Sequence, residues 1–131
     1  MHEKKIANLL ALSANERVEY FVRHCADFEE VWGLAVDDTS WVIIKDSDGD
    51  EAFLVWPHQE LAEACCFPEH KELGAKPRKI PLESFINKCV PDMNEENIFF
   101  GVFYDKERSG LAIPASELGE LLKAEAESVW E

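Results

Sequence analysis

The segment 40–56, which reads SWVIIKDSDGDEAFLVW, constrains the fold of this chain more than any other stretch. Two apolar runs flank the pair Asp48-Gly49, a dipeptide that favours the two left-handed positions of a type I′ turn. If these two residues form the loop, the register of a β-hairpin follows. It pairs Ile44 with Phe53, Val42 with Val55, and Trp41 with Trp56. Both faces of this hairpin are apolar near its base, so we expect it to lie inside a covered sheet or to pack against a partner.

Signals for helices surround the hairpin. Ser13 and Glu16 have the spacing of a capping box, and the apolar residues that follow recur at three- and four-residue steps, which predicts a helix over about 14–28. Its inward face is expected to hold Val18, Phe21, Val22, Cys25 and Phe28. Three prolines each precede another apolar stripe, and proline suits a first helical turn. They are Pro57, Pro81 and Pro114, and the helices that they open are predicted over about 58–67, 82–89 and 115–128.

Pro68 and Pro91 are expected to end the first two of these later helices, and Leu118, Leu121 and Leu122 to point inward from the third. The stretch 69–79 is basic and loop-like. A second hairpin is predicted over about 98–113, so strand, turn, strand, proline and helix follow one another twice. Convergent helix-start chemistry explains this echo slightly better than duplication does.

The predicted fold class is α+β, with an antiparallel sheet built from two β-hairpins at about 41–56 and 98–113 and with the helices packed on it. The 131 residues fit one domain, 1–131. Residues 1–12 are a candidate for a short N-terminal helix.

Acidic residues outnumber basic ones by 27 to 13, which gives a net charge of −14. This charge repels nucleic-acid backbones and anionic membranes, so neither is an expected partner. A basic protein is an expected partner, although solubility alone is a simpler explanation of the acidity. The apolar runs are shorter than a membrane span, and the start of the chain is too amphipathic for a secretory signal, so a cytoplasmic location is expected.

The four cysteines lie at spacings typical of neither a disulfide framework nor a zinc site. Cys25, Cys65 and Cys89 fall on predicted apolar helix faces, where a free thiol packs as a small hydrophobe. The acidic stretch 46–51 lacks the glycine and glutamate positions of a calcium loop. We therefore expect no metal and no cofactor, and no phosphate-loop, dinucleotide or nucleophile-elbow motif occurs.

The junction Trp56-Pro57-His58 is the place where we expect a pocket, if the chain has one. The candidate ligand-binding residues are Trp56, His58, Tyr20, Trp32 and Cys66. His58 stands at a helix start, where a histidine most often caps the helix or faces solvent. Cys66 has the weakest signal for burial, but a reactive thiol needs a positive neighbourhood, and the nearest in sequence is the stretch 70–79.

Four segments of the chain resemble a known family. They are ERVEYF at 16–21, ADFEEVWGL at 26–34, LVWPHQELAEAC at 54–65 and KIPLESFI at 79–86. The resemblance extends from about Ser13 to Leu122 and is to a family of small bacterial proteins catalogued as domain of unknown function 2750. It implies a bacterial cytosolic protein with a single domain, and it implies no activity, ligand or catalytic residue.

The leading hypothesis is a non-enzymatic, small, acidic protein-binding domain. Its sharper form is an inhibitor or immunity-like protein that binds a basic toxin or nuclease. The alternative is a small-ligand-binding protein or an enzyme with a pocket near the Trp56-Pro57-His58 junction. A homodimer through an apolar sheet face is a third hypothesis.

Overall fold

The computed structural model describes residues 2–45 and 48–130, and its helices and a six-stranded sheet confirm the α+β class. The strands are β1 (Glu30–Ala35), β2 (Ile43–Lys45), β3 (Glu51–Trp56), β4 (Lys76–Pro81), β5 (Phe99–Val102) and β6 (Leu111–Ile113). The helices are α1 (Glu3–Leu10), α2 (Ala14–Phe28), α3 (Gln59–Ala64), α4 (Pro68–Glu72), α5 (Leu82–Ser84), a π-helical segment (Phe85–Cys89), α6 (Val90–Glu95) and α7 (Ala115–Trp130). Within the described residues, no helix has both the length and the apolarity that crossing a bilayer requires.

The sheet is built around β3. Its order is β4-β1-β3-β5-β6, and β2 also pairs with β3. All pairings are antiparallel except that of β3 with β5, so the prediction of a wholly antiparallel sheet was wrong at this one place. A parallel pair needs a long crossover, and the chain between β3 and β5 supplies it. Residues 52–56 of β3 are all buried, so the second strand of the first hairpin lies inside a covered sheet, whereas β2 is half-buried to exposed.

The predicted register of the first hairpin was wrong by one residue. Phe53 pairs with Ile43 rather than with Ile44. Gly49 has a positive φ of +86°, as expected for a residue in the loop between the two strands. Asp46 and Ser47 lie outside the described residues. The one-residue shift also removes the other predicted pairs: Trp56 pairs with Trp32, Trp41 bridges Ala35, and the Val42 carbonyl accepts from the Leu54 amide at 3.5 Å.

Two strands were missed because their sequences lack an apolar alternation. β1 contains Gly33, whose missing side chain leaves room for the rings of Trp41 and Phe53. β4 lies partly in the stretch 69–79, which was predicted to be a loop. Its Pro77, Pro81 and lysines suit an edge strand, where proline and charge discourage pairing with another chain.

Prolines act differently from the prediction at three places. Pro68 opens α4 instead of ending the preceding helix, which stops at Ala64. Pro57 precedes α3 without entering it, because His58 is the N-cap. The predicted helix 82–89 continues through Pro91 to Glu95. Its π-helical segment accommodates the proline, since a change of hydrogen-bond spacing absorbs the missing N–H.

The α2 prediction is confirmed in its bounds and in its cap. The Ser13 hydroxyl accepts from the Glu16 amide, and the Glu16 carboxylate accepts from the Ser13 amide. Phe21 and Cys25 are buried as expected, but Phe28, at the end of the stripe, is exposed. In α7, Leu118 and Leu122 are buried, whereas Leu121 is exposed. The inward stripes are therefore narrower than predicted, and Phe28 of α2 and Leu121 of α7 are exposed to solvent.

Candidate functional site

One cluster of aromatic and imidazole rings gathers on α2 and at the start of α3. Tyr20, His24 and Phe28 stand four residues apart along α2, so helical geometry places them on one face. His58, the N-cap of α3, meets this face from the end of β3. We call these four residues the aromatic cluster.

The rings of the aromatic cluster form a continuous chain of contacts from Tyr20 through His58 and His24 to Phe28. The Tyr20 hydroxyl lies 2.6 Å from Nε2 of His58. The His24 and His58 ring centroids are 4.0 Å apart, and His24 stacks on Phe28 at 4.3 Å. Each ring therefore restricts its neighbour, and the exposed Phe28 is held by a contact to a half-buried residue.

Both histidines are neutral near pH 7. Burial, and then the neighbouring His24 and Lys5, lower the pKa of His58 to about 4. Burial also lowers the pKa of His24, despite the opposing charge of Glu30. Burial raises the pKa of Tyr20. The bond between Tyr20 and His58 therefore joins a neutral phenol and a neutral imidazole, and the tautomer of His58 sets which of the two donates.

The backbone at Phe103, next to the aromatic cluster, is strained and hydrogen-bonded. Phe103 is fully buried with a φ of +53°, a conformation unusual for a bulky residue. Its amide donates to the Val55 carbonyl at 2.9 Å, and its ring meets Tyr20 edge-on at 6.3 Å. The Trp56 indole N–H donates to the Tyr104 carbonyl at 2.9 Å. The hydrogen bond of Phe103 thus fixes the position of the ring against which Tyr20 packs.

Beside the aromatic cluster runs a groove of about 350 Å³ that joins α2 to α7. It is lined by Tyr20, Arg23, His24, Asp27 and Glu125, and we call it the α2–α7 groove. Two exposed apolar side chains each neighbour a lining residue: Phe28, which is 60% exposed, stacks on His24, and Leu121, which is 41% exposed, lies one helical turn before Glu125.

The two helices that form this groove are strongly acidic. α2 carries Glu16, Glu19 and Asp27, and α7 carries Glu117, Glu120, Glu125 and Glu127. Their basic residues are fewer, because Arg17 is buried and Arg23 and Lys123 alone remain outside the core. The groove thus combines exposed apolar side chains with negative charge.

The candidate residues from the sequence do not form one site. Tyr20 and His58 lie together in the aromatic cluster. Trp56 is fully buried, so a ligand that approaches from solvent does not reach its ring. Trp32 is half-buried and pairs with Trp56 across the sheet, and Cys66 lies in a separate pocket. Sequence reasoning missed His24, although its spacing from Tyr20 already placed the two rings on one helix face.

Cys66 lines a pocket of about 540 Å³, which we call the Cys66 pocket. Its walls are Gln59, Glu63, Cys66, Lys71, Ala75, Lys76 and Pro77. The thiol is 6% exposed, and burial raises its pKa although Lys71 opposes the change. The group is therefore a protonated thiol at neutral pH and a poor nucleophile.

The other thiols behave as packed side chains. Burial raises the pKa of Cys65 to about 11 and that of Cys89 to about 12, and Cys25 is fully buried. In the part of the chain that the structure describes, no three histidine, cysteine or carboxylate side chains are grouped to hold a metal ion.

A family model described as "Protein of unknown function (DUF2750)" matches residues 18–122. This range contains the aromatic cluster, both strands of each hairpin and the Cys66 pocket. No curated protein and no solved structure matches the chain.

Proposed function

The chain belongs to the family of proteins of unknown function DUF2750, and because this family names no activity, we propose from the geometry that it is a protein-binding domain. The proposed occupant of the α2–α7 groove is a basic, amphipathic segment of a partner protein. The observation that carries the proposal is the pair of exposed apolar side chains, Phe28 and Leu121, on two helices rich in carboxylates.

Apolar contact supplies the affinity in this proposal. Phe28 and Leu121 are two of the three large hydrophobic side chains exposed among the described residues. Burying such side chains against a partner is favourable by roughly 25 cal/mol per Å² of apolar surface. Phe28 is restricted by its stack on His24, so its ordering on binding costs little entropy.

Charge supplies the selectivity. The carboxylates of α2 and α7 attract lysine and arginine side chains and repel an acidic segment. Basic residues that flank an apolar stripe on a partner helix then meet Asp27 and Glu125 at the groove. Affinity is therefore expected to fall as ionic strength rises.

The sharper proposal, an inhibitor or immunity-like protein for a basic toxin or nuclease, is one case of this charge pairing. We place the interaction in the bacterial cytoplasm as part of the same proposal. The four cysteines are free, which fits a reducing compartment.

The alternative proposal, a small-ligand site or enzyme at the Trp56-Pro57-His58 junction, has weaker support. Trp56 and Pro57 are buried, and the Nε2 atom of His58 is already engaged by Tyr20. A substrate at this junction would have to displace the Tyr20 hydroxyl.

A binding titration tests the protein-binding proposal. The probe is a fluorescein-labelled amphipathic helical peptide of leucine and lysine, and the matched control peptide replaces each lysine by glutamate. We expect a Kd for the basic peptide of about 1–100 μM in fluorescence anisotropy, and no saturation with the acidic one. Phe28→Ser and Leu121→Ser should each weaken binding about tenfold.

Leu73→Ser is the matched control variant, because Leu73 is 70% exposed but lies at the end of α4, beyond the acidic helices. It should leave the affinity unchanged. Equal binding of both peptides, or an equal loss in all three variants, would overturn the proposal.

A second copy of this chain is another occupant that the proposal must exclude. Both faces of β3 are already covered by the chain itself, so a dimer through that strand has nothing left to bury. Sedimentation should give the monomer mass of 14.9 kDa. A dimer that Phe28→Ser abolishes would instead assign the groove to self-association.

A further inference from the structure

We propose that the Cys66 pocket binds a small organic anion that also carries a hydroxyl or amino group, such as a hydroxycarboxylate or a sugar phosphate. The pocket lies where α3, α4 and the start of β4 converge. Its volume of about 540 Å³ is that of a small-molecule site, larger than that of the α2–α7 groove.

Two ammonium groups recognise the anion. Lys71 and Lys76 both line the pocket. Neither forms an ion pair within 4.0 Å among the described residues, although the chain as a whole carries a charge of −14. Two unpaired lysines that face one cavity in an acidic protein make a local attraction for negative charge.

The neighbouring basic side chains are engaged elsewhere. Arg78 donates to the carbonyls of Asp37 and Asp38 and lies over the Trp41 ring. Lys79 faces Glu30 at 3.9 Å. Within the stretch 69–79, Lys71 and Lys76 are thus the two lysines that no carboxylate of the described residues pairs with.

The remaining polar groups define the rest of the ligand. The Glu63 carboxylate accepts hydrogen bonds, and the Gln59 amide both donates and accepts. A bare anion would be repelled by Glu63, so the ligand that fits offers a hydroxyl or amino donor beside its negative group. Inorganic phosphate alone is expected to bind more weakly.

The wall that carries Lys71 is held in place. Phe67 is buried and contacts two neighbouring side chains. The Arg108 guanidinium lies over its ring at 4.2 Å from the centroid, and the His70 ring stacks on it at a centroid distance of 5.5 Å. Arg108 also pairs with Glu69 in the first turn of α4. Lys71 therefore starts from an ordered helix when a ligand arrives.

Isothermal titration calorimetry on the full chain tests the site with citrate, ribose 5-phosphate and inorganic phosphate. We expect at least one of the first two to bind with a Kd below about 1 mM and more tightly than phosphate. The double variant Lys71→Gln/Lys76→Gln should weaken that binding about tenfold or more. Lys123→Gln, the same change on α7, is the matched control and should bind as the native protein does.

A second measurement follows the ¹⁵N amide resonances of the pocket. The bound anion should shift the amides of Lys71, Ala75 and Lys76 and leave that of Lys123 unchanged. The proposal fails if neither citrate nor ribose 5-phosphate binds with a Kd below about 1 mM, if phosphate binds as tightly as they do, or if the lysine double variant binds as well as Lys123→Gln. This site and the α2–α7 groove share no lining residue, so either proposal stands if the other fails.

Discussion

The hydroxyl of Tyr20 lies 2.6 Å from Nε2 of His58, a bond that ties the middle of α2 to the N-cap of α3. These residues are 38 positions apart in the chain, so the bond connects the helical layer to the end of the central strand. The stack of His24 and Phe28 rests on this pair. The shape of the α2–α7 groove therefore depends on it.

Tyr20→Phe removes the hydroxyl and keeps the ring. We expect a loss of about 1 kcal/mol in the free energy of unfolding, because one hydrogen bond disappears and the half-buried imidazole nitrogen loses its partner. Urea denaturation at pH 7 measures the change. The control is a double-mutant cycle of Tyr20→Phe with His58→Gln. If the losses in unfolding free energy of the two single variants simply add in the double variant, the bond is contradicted.

Stability should fall as the pH drops from about 6.5 towards 4. His58 has a folded-state pKa of about 4, below the ordinary value of 6.5, so its unfolded form takes up a proton first. The neutral imidazole of His58 therefore contributes its full stabilisation above about pH 6.5, and this contribution is lost as the pH falls from 6.5 to about 4. Between pH 7.5 and 5.5 we expect His58→Gln to lose about 1 kcal/mol less stability than the native chain does. Urea midpoints that fall by the same amount with pH in the two proteins would contradict this assignment.

Arg17 is a buried cross-link, and replacing it should be costly. Its guanidinium, which is 4% exposed, donates to the carbonyls of Leu10 and Ser109 and pairs with Asp105 at 3.4 Å. Arg17→Met should lower the free energy of unfolding by about 3 kcal/mol, because two carbonyls and one carboxylate lose their donor. Lys123→Met, on an exposed part of α7, should change it by less than about 0.5 kcal/mol. Equal denaturation midpoints for the two variants would contradict a structural role for Arg17.

Trp56 is expected to be a core residue and not a ligand-binding one. Trp56→Phe removes the indole donor of the Tyr104 carbonyl and leaves a cavity, which together should cost about 2–4 kcal/mol of stability. Peptide affinity measured well below the unfolding transition should stay within about twofold of the native value. A selective loss of affinity in a stable Trp56→Phe protein would return the binding site to the Trp56-Pro57-His58 junction.

Local chemistry in the sequence predicted most of the helices. The Ser13–Glu16 capping box and the apolar repeat placed α2 at its observed bounds. Both apolar faces of the first hairpin predicted a covered sheet, and β3 is buried on both. These features depend on neighbours within a few residues, which is why a single sequence suffices for them.

Features that depend on distant contacts were not predictable. Gly33 reads as a break, but the rings of Trp41 and Phe53 make its missing side chain part of a strand. The hairpin register depends on the conformation of the whole loop between β2 and β3, and the position of Asp48-Gly49 alone did not determine it. The candidate site was half predicted: Tyr20 and His58 were named, but their contact across 38 residues is set by the fold.

The exposed positions of Phe28 and Leu121 have the same origin. Both belong to apolar stripes by spacing, and both are exposed in the structure. Periodicity gives the direction of a side chain around its helix, and it does not give the width of the surface that covers it.

Chemical-shift mapping tests the central claim most directly. In ¹⁵N-labelled protein titrated with the leucine–lysine peptide, we predict that the largest amide shifts fall in α2 and α7, around His24, Phe28 and Leu121. The acidic control peptide should produce none. Shifts that centre on β4 or on the Cys66 pocket, with α2 and α7 unchanged, would contradict the proposed docking surface.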